Sequence, residues 1–229
     1  MNEPIEILYL DRDLAVSVKP RGILSEGEGE TCFPTLLSRA LREKGEQDRV
    51  YPVHRLDRET EGLMVYARTD RAAAAPSRAI TEGSMKKEYL AVATGTPEPE
   101  ASLCDLLFYD RGRGKSFVVD RQRKGVKEAR LDYQRIASRD GLSLLRVKLY
   151  TGRTHQIRVQ LASRGFPLAG DRRYGAPASP YPLSLCSVYL SFPHPTKKET
   201  LSFTYLPKTD PDRTAPSAFT VFSRELAEI

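Results

Sequence analysis

Asp57 stands in Pro52-Val53-His54-Arg55-Leu56-Asp57-Arg58-Glu59-Thr60, a stretch too polar for a core and followed by an apolar run, Gly62 to Ala67. A carboxylate between Arg55 and Arg58 has cations on both sides, which favours its charged form. Such a group can act as nucleophile, general base or metal ligand. Taken alone, the same residues describe a surface salt-bridge cluster better than an active site. Protein kinases also carry a His-Arg-Asp loop, but there the Asp directly follows the Arg. Here Leu56 intervenes, and neither G-x-G-x-x-G nor D-F-G occurs. His54, His155 and His194 pair with no Cys or carboxylate at ligand spacing, so no metal site is expected.

The elements that would position this segment are mostly short strands. Ile5 to Leu10 and Leu14 to Val18 flank the turn-like Asp11-Arg12-Asp13, and Lys19-Pro20-Arg21-Gly22 stops the second. Thr35 to Lys44 has apolar spacings of three and four, which predict a short helix. Gly62 to Ala67 and Tyr89 to Ala93 read as strands. Asp70 to Thr81 reads as a helix that Pro76 should kink or delay. Pro97 to Lys127 has the least pattern, and its basic residues and glycines predict a mobile hairpin or loop. Strands follow at Ala129 to Ile136 and Leu142 to Tyr150. His155 to Ser163 predicts a helix with Thr154 as N-cap. Leu185 to Phe192 and Thr200 to Tyr205 are the last strands, and Ala218 to Ile229 a terminal helix. Strands without regular helical crossovers predict an α+β fold with a mainly antiparallel sheet. Residues 1–229 are expected to form a single catalytic domain, with a division into two sub-lobes near Pro97 or Gly152 left open.

Composition bounds the class. The chain has 229 residues, 40% of them apolar, which is ample for a buried core. Its opening shows no basic-then-apolar leader, and no apolar run reaches membrane-span length, so a cytoplasmic protein without a membrane partner is expected. Cys32, Cys104 and Cys186 are odd in number and far apart, as reduced cysteines would be. Net charge is +6. Nine Lys and Arg against three acids lie between Arg111 and Arg135, so the rest of the chain is near neutral. A cluster of that kind attracts phosphate backbones through counterion release. It also describes a solvated hairpin.

His54 through Leu63 resembles the H-R-L-D-x-x-T-S-G-L signature of the RluA-type pseudouridine synthases. Further blocks recur in that family's order. Asp11 to Gly22 resembles its opening strand pair ending in K-P-x-G, and Lys87-Glu88-Tyr89 its K-x-Y. Lys127-Glu128-Ala129 is similar to its K-x-A. Gly152 to Gln160 resembles G-R-[ST]-H-Q-[IL]-R-V-[HQ], and Gly170 to Gly175 its G-D-x-x-Y-G. The likeness covers roughly Leu8 to Pro207. Glu61 departs from the usual Ser and adds a negative charge near the expected cleft. Leu185-Cys186-Ser187 replaces a common L-H-A.

The resemblance implies a pseudouridine synthase fold: a mainly antiparallel mixed sheet, flanking helices and a central catalytic cleft. It implies isomerisation of uridine in structured RNA, in rRNA or tRNA, with no cofactor. Asp57 is then the catalytic carboxylate, Arg158 its pairing cation, and Tyr89 the ring and hydroxyl beside the uracil. Arg55, His54, His155, Arg153, Lys87, Arg121, Arg123 and Lys124 are candidate RNA contacts. Only a few residues precede the first strand, so the S4 module of many relatives is not expected, and a monomer is the default. Two alternatives stand beside this: an RNA-binding module that keeps the fold without catalysis, and a glycosidase-like hydrolase, for which no second carboxylate is evident.

Overall fold

A computed structural model describes residues 4–209 and 217–229; residues 1–3, read above for a leader, lie outside them. Eleven strands and four α-helices occur among the described residues, in agreement with the α+β class. They form two compact units, Met1–Lys87 with Ser187–Tyr205, and Glu88–Cys186 with Leu206–Ile229. Pro97 and Gly152 both fall inside the second unit.

The first unit holds β1 (Ile7–Leu10), β2 (Leu14–Lys19), β3 (Tyr51–Pro52), β4 (Glu61–Ala67), most of β10 (Leu185–Pro193) and β11 (Thr200–Thr204). Their order is β1-β2-β4-β10, with β3 beside β4 and β11 beside β10. The pairs β1–β2, β2–β4, β3–β4 and β10–β11 are antiparallel. β2 and β4 are buried along their whole length, which is why they read as near-continuous apolar runs. Helix α1 (Phe33–Glu43) begins ahead of Thr35, because Phe33 and Pro34 suit the first turn.

Helix α2 (Asp70–Thr81) is capped by Thr69, whose hydroxyl accepts from the Ala72 N–H at 3.1 Å. Of the two effects expected of Pro76, a kink or a late start, the late start does not occur, and the helix runs through the proline. The lost interior hydrogen bond is outweighed by the cap and by burial of Ala72, Pro76 and Ala79 on the sheet side. Ala79 and Met85 join Leu14, Val16, Val18, Leu63, Val65, Leu190 and Phe192 in one core.

Asp11 makes the first turn. Its Oδ1 accepts from the N–H groups of Asp13 and Leu14, both at 2.8 Å. Its Oδ2 meets Tyr9 Oη and His194 Nε2 at 2.8 Å and Lys197 Nζ at 3.1 Å, tying this turn to the one between β10 and β11. Burial opposes the charge, but these donors hold the Asp11 carboxyl well below the usual range.

The second unit holds most of β5 (Lys86–Thr94), β9 (Leu142–Leu149), β8 (Val126–Arg139), β6 (Glu100–Asp110) and β7 (Lys115–Val119), in that order across the sheet. The pairs β6–β7, β6–β8 and β8–β9 are antiparallel. Of the two alternatives expected for Pro97 to Lys127, hairpin or loop, the structure shows the hairpin, with β6 and β7 paired across the turn at 111–114. Its alternation is hidden because β6 buries only Leu103 and Leu107 while charged residues lie on either side. Helix α3 (Gln156–Ala162) places Val159 in a core with Leu107, Ala129 and Tyr174. The expected terminal helix is split into a 3-10 turn, Ala218–Phe222, and α4 (Ser223–Ala227). Ala218, Phe219 and Phe222 are all fully buried in that arrangement.

Candidate active site

In the first unit, the Asp57 loop is gripped through its carbonyls. Lys19, at the end of β2, has no exposed surface. Its ammonium donates to the carbonyls of Pro20 and Ile23 at 2.8 Å and of Arg58 at 3.2 Å. The Gly22 N–H also donates to Arg58 O at 2.9 Å, and Ser25 Oγ to Leu56 O at 2.8 Å. The Thr60 N–H turns back to Asp57 O at 3.0 Å. Buried Leu56 anchors the loop, while Asp57 beside it is only half-buried. Burial lowers the Lys19 pKa to about 8, and the charges of Glu59, Asp57 and Glu61 oppose that fall.

The two arginines beside Asp57 reach other partners as well. Arg55 Nη1 lies 2.9 Å from Glu26, with both side chains exposed. Arg58 Nε donates to Gly22 O at 2.8 Å. Glu61, the departure from the family pattern, is buried and 3.9 Å from Arg21. Next to it, Gly62 has φ +118°, and a Cβ there would lie 2.3 Å from Ser187 O. His54 Nε2 accepts from the Val65 N–H at 3.2 Å. Burial and the nearby Lys87 charge hold the His54 pKa down to about 3, so the ring is neutral. Lys87 is itself buried, which lowers its pKa. Lys87 is thus a buried cation and His54 a half-buried, neutral ring.

In the second unit, Tyr89 is buried on β5 and Arg158 on α3. Arg158 grips Asp171 with two bonds, Nε to Oδ2 at 2.7 Å and Nη2 to Oδ1 at 2.9 Å. His155, not Thr154, is the N-cap of α3, in the left-handed region at φ +56°, and no side chain caps it in the usual way. The Gln156 side chain instead ties down the loop ahead of the helix. Its Oε1 takes the Arg153 N–H at 3.0 Å and the Thr151 hydroxyl at 2.7 Å. Arg153 Nε donates to Glu128 O at 2.9 Å. His155 and Arg158 share a helix face as their spacing predicts, because both reach Tyr174.

Arg121, Arg123 and Lys124 are exposed on the turn between β7 and β8. The Arg123 guanidinium lies over the Phe108 ring, 5.0 Å from its centroid. Asp57, Arg55, His54 and Lys87 thus belong to the first unit, and Tyr89, Arg158, His155, Arg153 and the three turn cations to the second. Lys19, Asp171 and Tyr174 received no role from the sequence, although the K-P-x-G and G-D-x-x-Y-G blocks marked their places.

Among the described residues, no three His, Cys, Asp or Glu side chains are grouped to hold a metal ion. Cys32, Cys104 and Cys186 are not joined to one another by disulfides. No described helix is long and apolar enough to cross a membrane.

Residues 13–163 match the family model of RNA pseudouridylate synthases. An RNA pseudouridine synthase of Aquifex aeolicus, otherwise uncharacterised, is 35% identical over 224 residues, covering 88% of this chain and 69% of that protein. The dual-specificity RNA pseudouridine synthase RluA of Escherichia coli K12 is 33% identical over 204 residues, covering 86% of this chain and 90% of that one. The chain spans only 50–58% of the length of several other curated relatives. The human RNA pseudouridylate synthase domain containing 4 superposes with a TM-score of 0.76 over 97% of this chain and 93% of its own; at 23% identity that likeness concerns the fold. With the Asp57 loop and the Arg158 helix both inside the matched span, the chain belongs to the RNA pseudouridine synthase family, among its RluA-type members.

Proposed function

We propose that this chain converts uridine to pseudouridine in structured RNA, with Asp57 as the carboxylate that attacks ribose C1′ or removes the C2′ proton. One observation carries this: Asp57, Tyr89 and Arg158 lie in order within the single span matched by the family model. The reaction breaks C1′–N1, turns the base and closes C1′–C5, while C5 loses a proton and N1 gains one. Nothing is oxidised and no group is carried away, so the chemistry asks for a carboxylate, a cation and a proton acceptor.

Arg158 serves as the cation for Asp57, and its two-bonded hold on Asp171 gives the guanidinium a set orientation. Tyr89 offers its ring to the freed uracil and its hydroxyl near C5. Arg55, exposed and paired with an exposed Glu26, takes the RNA strand while the target base is turned out of its stack. Arg153, His155, Arg121, Arg123 and Lys124 contribute phosphate contacts. The RNA is a stem-loop of rRNA or tRNA; relatives named for the ribosomal large subunit support the first. The protein works in the cytoplasm as a monomer.

The test is a carbodiimide primer-extension map of RNA from cells lacking the protein, complemented with wild type or Asp57→Ala. At least one pseudouridine should vanish and return only with wild type. If none vanishes, and Asp57→Ala matches wild type on candidate RNAs in vitro, the assignment falls. Release of free uracil would point to a hydrolase instead.

A further inference from the structure

The Tyr174 side chain lies among charged and polar groups from β7 and from α3 with its N-cap, all in the second unit. Its hydroxyl accepts the backbone N–H of Ser116 on β7 at 2.8 Å and sits 2.9 Å from Nδ1 of His155. The Arg158 guanidinium is 5.2 Å from the centroid of its ring, and the Lys115 ammonium 4.9 Å. The His155 ring meets it edge-on at 5.7 Å. Two further bonds stitch the same elements together. Ser116 Oγ donates to Thr154 O at 2.6 Å, and Arg173 Nη1 to Gly114 O at 2.7 Å. Tyr174 is buried, and burial raises its pKa, so the hydroxyl keeps its proton.

A separate observation concerns His155. Among the described residues, only Asp140 and His155 take positive φ without being glycine. Left-handed backbone costs a residue with a side chain about 1 kcal/mol, and glycine adopts it freely. An imidazole held in that conformation against a hydroxyl partner is backbone strain maintained by its surroundings, as at placed functional groups.

We infer that Tyr174 is a positioning residue for the reaction proposed above: it sets the tautomer of His155 and the bearing of Arg158, and ties both to strand β7. With the Ser116 N–H on its oxygen, the Tyr174 proton is directed at Nδ1, so the His155 ring carries its own proton on Nε2. The ring meanwhile gives the Arg158 guanidinium an aromatic face to rest on, while Asp171 holds its edge. Lys115 lies over the same ring, so RNA that draws on β7 acts on the support of Arg158.

Tyr174→Phe tests this, since it keeps the ring and deletes one oxygen. The substrate is total RNA from cells lacking the protein, labelled with [5-³H]uridine, and tritium release is followed in single turnover. The maximal rate should fall about tenfold or more, as misplacement of catalytic groups does, with the half-saturating protein concentration little changed. The ¹⁵N shifts of His155 should show Nδ1 losing its acceptor role. A maximal rate within about threefold of wild type overturns the proposal. So does a lower rate with unchanged His155 shifts, which would assign the loss to packing. If Tyr174→Phe does not fold, His155→Asn replaces it, because Asn tolerates left-handed backbone; a wild-type rate in that variant overturns the proposal equally. The inference rests on the synthase reading, and the two failures differ: a wild-type protein that releases no tritium removes both, whereas equal activity of wild type and variant removes only this one.

Discussion

Lys19 shows what a single buried charge does in this molecule. Its ammonium bridges three carbonyls, one of them that of Arg58 beside the Asp57 residue. Burial sets its pKa near 8, below the ordinary 10.5. Below about pH 8 the amine is charged whether the chain is folded or not, and contributes no slope. Between the two values the unfolded chain binds more protons than the folded one, so stability rises with pH across that window. Urea unfolding of wild type and Lys19→Met should therefore diverge: from about pH 8 to about pH 10, wild type should gain stability that the variant does not. Lys87, also lowered by burial, is common to both and cancels in the difference. Parallel stability curves would show that Lys19 is not the buried amine described. Asp57 was legible as a candidate from its neighbours and motif order, but the Lys19 contact was not, because 39 residues separate Lys19 from Arg58.

At the level of elements, β4 and β10 approach so closely that Gly62 leaves no room for a methyl group against Ser187 O. The Gly62 φ of +118° is one that residues with a Cβ rarely adopt. Gly62→Ala should cost about 3 kcal/mol or more through overpacking and strain. Thermal unfolding and the yield of folded protein measure it, and a melting temperature equal to wild type would contradict the packing. The glycine sits five residues after Asp57, so the close approach also sets where the loop rejoins the sheet. The bounds of helix α2 are those read from the sequence, although its Thr69 cap was not read and Pro76 argued for a later start. Those of strands β6 and β7 are not. Their partners are one another and β8, and their side chains are too mixed for a period of two to stand out.

Across the whole molecule, the surplus of positive charge is concentrated between Arg111 and Arg135. The structure spreads those residues over β7, β8 and the turns that precede them, with Arg121, Arg123 and Lys124 exposed at one turn. Each phosphate contact contributes about −0.7 to −0.9 to the slope of log K against log salt. Neutralising all three should weaken RNA binding and flatten that slope by about 2 to 3, with the fold unchanged by circular dichroism. An unchanged slope would remove this turn from the RNA surface. The Arg121–Asp120 pair, 3.6 Å apart and exposed on both sides, adds little to stability, so the substitutions are not expected to unfold the unit.

The sequence by itself determined the class of fold, the family and the order of the blocks that carry Asp57, Tyr89 and Arg158. Such features are local: a motif or a run of buried strand residues. Only the tertiary structure decided which groups support them. It paired Arg158 with Asp171, placed Tyr174 between Ser116 and His155, and closed Lys19 under the Asp57 loop. It also buried Lys87 and left His54 half-buried with a neutral ring. These outcomes depend on hydrogen bonds and burial between residues far apart in the chain, and no period or spacing along the sequence encodes them.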